Sequence, residues 1–113
     1  MDSTGRPAAR PRYSASEAAA LLPEIRAVLL QLAFDRQRLH DGVPSPADVG
    51  DGMRALVDHL EARGVELRDL DRGLVDIAGE RDGTAIWWCW RLAEPEIGFW
   101  HSTREGFAQR KPL

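Results

Sequence analysis

The pattern of apolar side chains changes from a helical period to a strand-like period at Gly64. From there the chain reads GVELRDLDRGLVDIAGERDGTAIWWCWRLAEPEIGFWH (64–101). Residues 65–67 alternate between apolar and polar side chains. Residues 74–78 and 84–92 together are rich in Val, Ile and Trp, which favour strands. These runs predict that the C-terminal half of the chain forms a β-sheet.

Turn signals between the runs indicate how the strands are connected. Asp82-Gly83 lies between the two longest runs, and an Asp-Gly pair in that position is typical of a tight hairpin. Residues 93–95 (AEP) predict a second turn, which is followed by a strand over 96–101. The sequence therefore predicts an antiparallel β-meander of three to four strands over residues 65–101.

Residues 13–64 show helical periodicity and predict a helical hairpin. Ser14 and Glu17 form a capping-box pattern at the start of the first helix. Pro23 predicts a kink or a restart of that helix, with Pro23 opening the longer segment. Gly64 fits a left-handed stop after the second helix. The apolar stripe of the first helix alternates steps of four and three residues: Ala18, Leu22, Ile25, Leu29 and Leu32. The apolar positions of the second helix are Val49, Met53, Leu56, Val57 and Leu60.

These elements predict one α+β domain over residues 13–113, a kinked antiparallel helical hairpin packed on the β-meander. A chain of 113 residues is long enough for one hydrophobic core. Residues 1–12 lack periodicity and predict a flexible lead, and residues 102–113 predict an irregular tail.

Composition excludes several functional classes. The chain carries 15 basic and 18 acidic residues, a net charge of −3, and its two halves balance alike, so no basic face for nucleic acid is expected. No apolar run approaches the length of a membrane span, and no secretory signal is visible at the N-terminus. A single cysteine excludes an internal disulfide. We therefore expect a cytoplasmic protein that binds neither nucleic acid nor membrane.

All four tryptophans lie within residues 87–100. Strand alternation places Trp88 and Trp90 towards the helices, and places Trp87 with Arg91 on the opposite face of the sheet. Trp100 is expected to join Trp87 there. Trp87, Trp100 and Arg91 are accordingly the predicted binding residues. Two alternatives remain open: this face binds a ligand or partner, or it is covered by residues 102–113 or by a second subunit.

Polar side chains of the C-terminal half form the candidate catalytic set: Asp76, Glu94, Glu96, His101 and Cys89. Carboxylates with an imidazole can act as acid and base or hold a metal ion. Their spacing matches no helical ligand motif, and alternation separates Glu96 from His101, so the spacing predicts no metal site and specifies no cofactor. Structural roles are the alternative, including a cross-strand ion pair between Asp76 and Arg91. Cys89 is a weak candidate nucleophile, because a cysteine within a strand is usually an inert apolar residue.

Several segments resemble one protein family. They are GVELRDLDRGLVDI (64–77), RDG (81–83), CWRLAEPEIGFWH (89–101), GF (106–107), RKPL (110–113) and the opening YSASEAAALLPEIR (13–26). The chain resembles DUF2203, a small bacterial family of unknown function. The resemblance implies no catalytic residue, because the family has no settled activity. Residues 102–104 (STR) depart from the acidic segment that the resemblance implies after the histidine.

Two functions of different classes follow from these observations. The first is a non-catalytic interaction module that self-associates as a dimer, through the helical stripe or the Trp-bearing face of the sheet. It is favoured because two helices and several strands carry more apolar surface than one small core covers. The alternative is a small enzyme, or a metal-binding or small-molecule-binding protein, with an acidic and histidine site on the sheet.

Overall fold

The computed structural model describes residues 11–113. Three α-helices come first: α1 spans Ala15–Ala20, α2 spans Leu22–Asp41 and α3 spans Pro46–Ala62. The short loop 42–45 joins α2 to α3, and these two helices pack against each other. The predicted helical hairpin is confirmed.

The start of the hairpin follows its local sequence signals. Ser14 Oγ accepts a hydrogen bond from the Glu17 amide, and the Ser14 amide donates to Glu17 Oε1 at 2.8 Å, so the capping box is complete. Helical structure is interrupted at Leu21, between α1 and α2. Pro23 lies in the first turn of α2, where its missing amide hydrogen costs no helical hydrogen bond. Of the two predicted alternatives, a kink or a restart, the structure shows a restart.

Five strands follow the helices and form one antiparallel sheet in the order β1-β2-β3-β4-β5. The strands are β1 Val65–Asp69, β2 Leu74–Arg81, β3 Thr84–Arg91, β4 Phe99–Ser102 and β5 Lys111–Pro112. The α+β class and the meander are confirmed, but the predicted number of three to four strands is too low.

The strand predicted at residues 96–101 begins later, at Phe99. The loop before it is tied to the end of β3, since the Trp90 indole donates to the carbonyl oxygen of Glu94 at 3.1 Å and the Arg91 amide donates to Glu94 Oε1 at 3.0 Å. These bonds hold the chain in a turn, so pairing with β3 starts only where Phe99 meets Cys89.

The predicted irregular tail, residues 102–113, is partly ordered. It contains a 3-10 turn at Phe107–Gln109 and the short strand β5, which pairs with β4 at the edge of the sheet. Sequence reasoning missed this strand because it is two residues long and contains a proline, which only an edge strand tolerates. The predicted flexible lead, residues 1–12, lies outside the described residues except for Pro11 and Arg12. Arg12 reaches Glu80 Oε1 at 3.5 Å.

The core lies between the helices and one face of the sheet, which we call the inner face. Trp88 and Trp90 of β3 are buried there, as strand alternation predicted. The predicted stripe of the first helix is buried against this face: Ala18, Leu22, Ile25, Leu29 and Leu32. Because the chain's own core covers this stripe, the stripe offers no surface to a second copy.

Gly79 on β2 allows the closest packing within the core. A Cβ at this position would lie 2.6 Å from Cδ1 of the Trp88 indole, a separation that real Cβ atoms do not show. The indole lies across the bare backbone and donates its N–H to the carbonyl oxygen of Tyr13 at 2.8 Å. Trp88 thereby anchors the segment that leads into α1 to the sheet.

Candidate functional site

The opposite face of the sheet, which we call the outer face, carries three buried polar side chains from three adjacent strands. Asp76 of β2 is the register partner of Cys89 on β3, and His101 of β4 is the register partner of Trp87, two residues away from Cys89. Alternation therefore directs all three side chains to one face. Asp76, Cys89 and His101 are 4%, 0% and 1% exposed, and their potential ligand atoms all lie within 4.8 Å of one another.

The contacts of His101 define the chemistry of this cluster. Its Nδ1–H donates to the carbonyl oxygen of Ser102 at 2.8 Å, because a carbonyl oxygen can only accept. The other ring nitrogen, Nε2, lies 2.9 Å from Asp76 Oδ1. Nε2 and a carboxylate oxygen therefore face each other. A proton shared in a hydrogen bond would satisfy both atoms, and so would a cation bound to both.

Each of the other two cluster residues is held on a second side by an arginine. Arg68 Nε donates to Asp76 Oδ2 at 2.9 Å, which leaves Oδ1 directed at His101. The positive charge of the Arg110 guanidinium lowers the pKa of the Cys89 thiol against the effect of burial. Ser102, Arg68 and Arg110 thus orient one cluster residue each, in the manner of groups that orient the ligands of a metal site.

Burial, together with the negative charge of the neighbouring Asp76 carboxylate, raises the pKa of the Cys89 thiol to about 11, although Arg110 acts in the lowering direction. Cys89 is therefore a neutral thiol at neutral pH. A nucleophilic cysteine needs the thiolate, so the predicted nucleophile role finds no support in this environment. A bound metal ion would displace the thiol proton, since metals coordinate thiolate.

Glu94 lies beside the cluster and belongs to an ion-pair network. Its Oε2 accepts from Arg110 at 2.7 Å and lies 3.6 Å from Arg91 Nε. Burial raises the pKa of Glu94, but the hydrogen bonds from Arg110 and from the Arg91 amide outweigh it, so the pKa lies below its ordinary value. Glu94 fixes the position of Arg110, whose guanidinium also stacks on the rings of Phe99 at 3.8 Å and Phe107 at 4.4 Å.

Two sequence predictions about this region are wrong. The predicted ion pair between Asp76 and Arg91 does not form, because Arg91 is the register partner of Leu74 and pairs with Glu94. Trp100 does not join Trp87, because it is the register partner of Trp88 and packs on the inner face. There Arg81 lies 4.3 Å and Lys111 5.0 Å from the centre of the Trp100 ring.

The remaining predicted site residues are separated from the cluster or half-buried beside it. Glu96 is exposed in the loop before β4, so only Asp76, Cys89 and His101 come together in the described residues. Trp87 is half-buried on the outer face with Arg68 5.2 Å from its ring centre. It lines a groove of about 200 Å³, together with Pro11, Ala85 and Thr103 among others. Binding at Trp87 stays a prediction.

A cavity of about 290 Å³ opens beside the cluster. Its lining consists of Arg68, Leu74, Asp76, Glu105, Gly106 and Phe107. Asp76 belongs both to this lining and to the buried cluster, so a small molecule in the cavity would contact the cluster through the Asp76 carboxylate. The C-terminal tail supplies half of the lining residues, and it therefore covers this part of the outer face.

Sequence reasoning missed the three residues that orient the cluster: Arg68, Ser102 and Arg110. Arg68 lies on the same face as Asp76, which the register of β1 with β2 would have indicated. Ser102 acts through its backbone carbonyl, which no side-chain pattern reveals. Arg110 belongs to a segment that was predicted to be irregular, so no pattern directed it to the outer face.

This combination defines a small α+β protein with a buried Asp–Cys–His cluster on the outer face of its sheet. The family model of DUF2203, an uncharacterized conserved protein, matches residues 45–113, which contain the whole cluster. The chain belongs to the DUF2203 family. No curated protein and no solved structure matches the chain. Within residues 11–113, none of the helices has both the length and the apolarity that a membrane crossing requires.

Proposed function

We propose that the protein binds a divalent transition-metal ion, with Zn²⁺ as the best fit, through Asp76 Oδ1, Cys89 Sγ and His101 Nε2. The observation that carries the proposal is the buried cluster of three potential metal ligands, in which His101 Nε2 lies 2.9 Å from Asp76 Oδ1 and all three ligand atoms lie within 4.8 Å of one another. A cation between His101 Nε2 and Asp76 Oδ1 would satisfy both atoms at once.

The donor set favours zinc over other common metals. Imidazole nitrogen, thiolate sulfur and carboxylate oxygen are the three ligand types that Zn²⁺ accepts in proteins, whereas Mg²⁺ and Ca²⁺ prefer oxygen ligands alone. Three protein ligands leave one tetrahedral position for water or another ligand. Of the three proposed ligands, Asp76 lines the neighbouring cavity.

The surroundings of each proposed ligand fit the same function. The hydrogen bond from His101 Nδ1 to the Ser102 carbonyl oxygen leaves Nε2 as the ring nitrogen directed at the cluster, where it would be the metal ligand. Arg68 donates a hydrogen bond to Asp76 Oδ2 and so leaves Oδ1 as the metal-binding oxygen. Arg110 places positive charge beside Cys89, which favours a thiolate. A reducing, cytoplasmic setting is part of this proposal, because it would keep Cys89 available as a thiolate ligand.

Metal binding is tested by titrating the chelator-treated protein with Zn²⁺ and, separately, with Co²⁺. We expect one ion per chain, and we expect the Co²⁺ complex to show a thiolate-to-metal charge-transfer band in the near ultraviolet. His101→Gln and Asp76→Asn should weaken binding by at least about tenfold each. Cys89→Ser should remove the charge-transfer band while the protein still folds, as judged by circular dichroism.

Glu96→Gln is the matched control, because it removes an exposed carboxylate from the same half of the chain without touching the cluster. It should leave affinity and the Co²⁺ spectrum unchanged. Absence of stoichiometric binding by the folded wild-type protein, or binding that survives both His101→Gln and Asp76→Asn, would refute the proposal.

A further inference from the structure

Helix α2 has a second apolar face on the side opposite its buried stripe. Leu30 and Phe34 are 53% and 60% exposed, and they are the large apolar side chains that α2 leaves open. Pro23 and Ala27 continue this face towards the start of the helix and are also exposed. The spacing from Pro23 to Phe34 runs four, three and four residues. We call these four residues the α2 outer stripe.

The spacing of the α2 outer stripe is typical of a helix that packs along another helix. Alternating steps of three and four residues keep a narrow apolar seam on one side over several turns. Ile25, Val28, Leu29 and Leu32 of α2 are buried in the core that the helices share with the sheet, so the outer stripe, on the opposite side of α2, points away from that core. Leu30 and Phe34 both remain more than half exposed, although the Arg38 guanidinium lies 5.8 Å from the centre of the Phe34 ring.

The stripe is complementary to a second copy of itself. A two-fold axis that passes between Leu30 and Gln31, perpendicular to α2, would align two copies of the helix antiparallel. Residue numbers that face each other across such an axis add up to 61. Phe34, the largest side chain of the stripe, would then lie opposite Ala27 of the other copy, and the two Leu30 side chains would meet beside the axis.

Charges next to the stripe lie close to the same symmetry. Glu24 and Arg38 lie on the same flank of the stripe, and their midpoint, Gln31, is half a residue from the proposed axis. Such an axis brings the same flank of both copies together, so Glu24 of each copy would approach Arg38 of the other. Their side chains are 34% and 44% exposed. Both groups already have partners within the chain: Glu24 pairs with Arg63 at 3.0 Å and contacts His59, and Arg38 pairs with Asp35 at 3.1 Å. A carboxylate has about four acceptor sites and a guanidinium has five N–H donors, so each can take a further partner.

We propose that the protein forms an antiparallel homodimer through the α2 outer stripe. The proposal goes beyond metal binding and does not depend on it, because the stripe belongs to the helical layer and the cluster lies on the far side of the sheet. It also differs from the dimer surfaces predicted from the sequence. The predicted apolar stripe of the first helix is buried in the core, and Trp100 packs on the inner face of the sheet.

Sedimentation equilibrium of the full chain tests the proposal. We expect a concentration-dependent dimer, and we expect Phe34→Glu to weaken it by at least about tenfold, because a charge would enter the centre of the apolar seam. Phe34 is exposed, so the variant should keep the wild-type circular dichroism and thermal midpoint. Ala55→Glu, which adds the same charge at an exposed position of α3, is the matched control and should leave dimerisation unchanged.

Cross-linking tests the antiparallel arrangement. An oxidised mixture of the Ala27→Cys and Phe34→Cys variants should give a disulfide-linked pair of one chain of each, whereas neither variant alone should cross-link efficiently. The buried Cys89 should not interfere. A monomeric wild-type protein, a dimer that Phe34→Glu leaves intact, or cross-linking of Ala27→Cys to itself in preference to the mixed pair would each overturn the proposal.

Discussion

Replacing Asp76 by two different residues should separate its contribution to stability from its contribution to metal binding. Asp76 is buried, and it accepts one hydrogen bond from Arg68 and lies in hydrogen-bond contact with His101. Asp76→Ala removes both interactions and leaves His101 Nε2 buried without a partner. Asp76→Asn keeps the size and shape of the side chain, and its amide can donate to the lone pair of Nε2.

The magnitudes follow from what each variant leaves behind. A buried polar group left without its hydrogen-bond partner costs about 1–3 kcal/mol, and Asp76→Ala also leaves a cavity, so we expect it to lose more stability than Asp76→Asn. Asp76→Asn exchanges charge-assisted hydrogen bonds for neutral ones, which differ by about 1–2 kcal/mol. Because the Arg68 side chain is 43% exposed, loss of its ionic partner adds little to the destabilisation in either variant. Both variants should lose Zn²⁺ binding.

Equilibrium unfolding in urea, with a chelator present, measures the free energy of unfolding of each variant. The two variants should show equal m-values, so that the difference in midpoint reports stability alone. Equal destabilisation by Asp76→Asn and Asp76→Ala would refute the reasoning, because it would mean that the charge of Asp76, and not its hydrogen bond to His101, stabilises the cluster. Retained Zn²⁺ binding by Asp76→Asn would refute the assignment of Asp76 as a ligand.

Three further predictions use other parts of the structure. The pKa of Glu94 lies below its ordinary value in the folded protein, so its contribution to stability is present above the unfolded-state pKa and is lost as the pH falls through the folded-state pKa. Glu94→Gln should therefore flatten the acid limb of a stability-against-pH curve, and an unchanged acid limb would contradict this. Gly79→Ala should cost about 1–3 kcal/mol in chemical denaturation, because the new methyl group overlaps the Trp88 indole; no loss would show that the indole moves freely. Burial raises the pKa of Cys89 to about 11, so the thiol should resist iodoacetamide at neutral pH in the native protein and react once urea unfolds the chain. Above the pKa of the thiol in the unfolded state, the same shift should lower the free energy of unfolding as the pH rises. Rapid alkylation of the native protein at pH 7 would contradict the predicted protection of Cys89.

The helices and the central hairpin could be predicted because their signals are local. The capping box of Ser14 and Glu17, the position of Pro23 and the Asp82-Gly83 turn each act within a few residues. Alternation along β3 correctly placed Trp88 in the core. These features depend on the period of a single element and not on its neighbours.

The errors occur where one element meets another. The position of Trp100 depended on the register of β4, and that register was misjudged because the turn at Glu94 holds the chain off the sheet until Phe99. The partner of Asp76 depended on which residues of β3 and β4 lie beside it, and there the structure places Cys89 and His101 and not Arg91. Arg110 reaches the cluster from a tail that carries no recognisable pattern.

Hydrophobic periodicity and turn residues were sufficient to predict a helical hairpin followed by a β-meander, because both signals act between residues that are close together in the sequence. Only the tertiary structure could bring together residues 76, 89 and 101, because cross-strand register sets their distances, and one step of register would direct each side chain to the other face of the sheet. Only the tertiary structure could also show which apolar side of α2 the core covers and which side it leaves exposed, because both sides have the same spacing in the sequence.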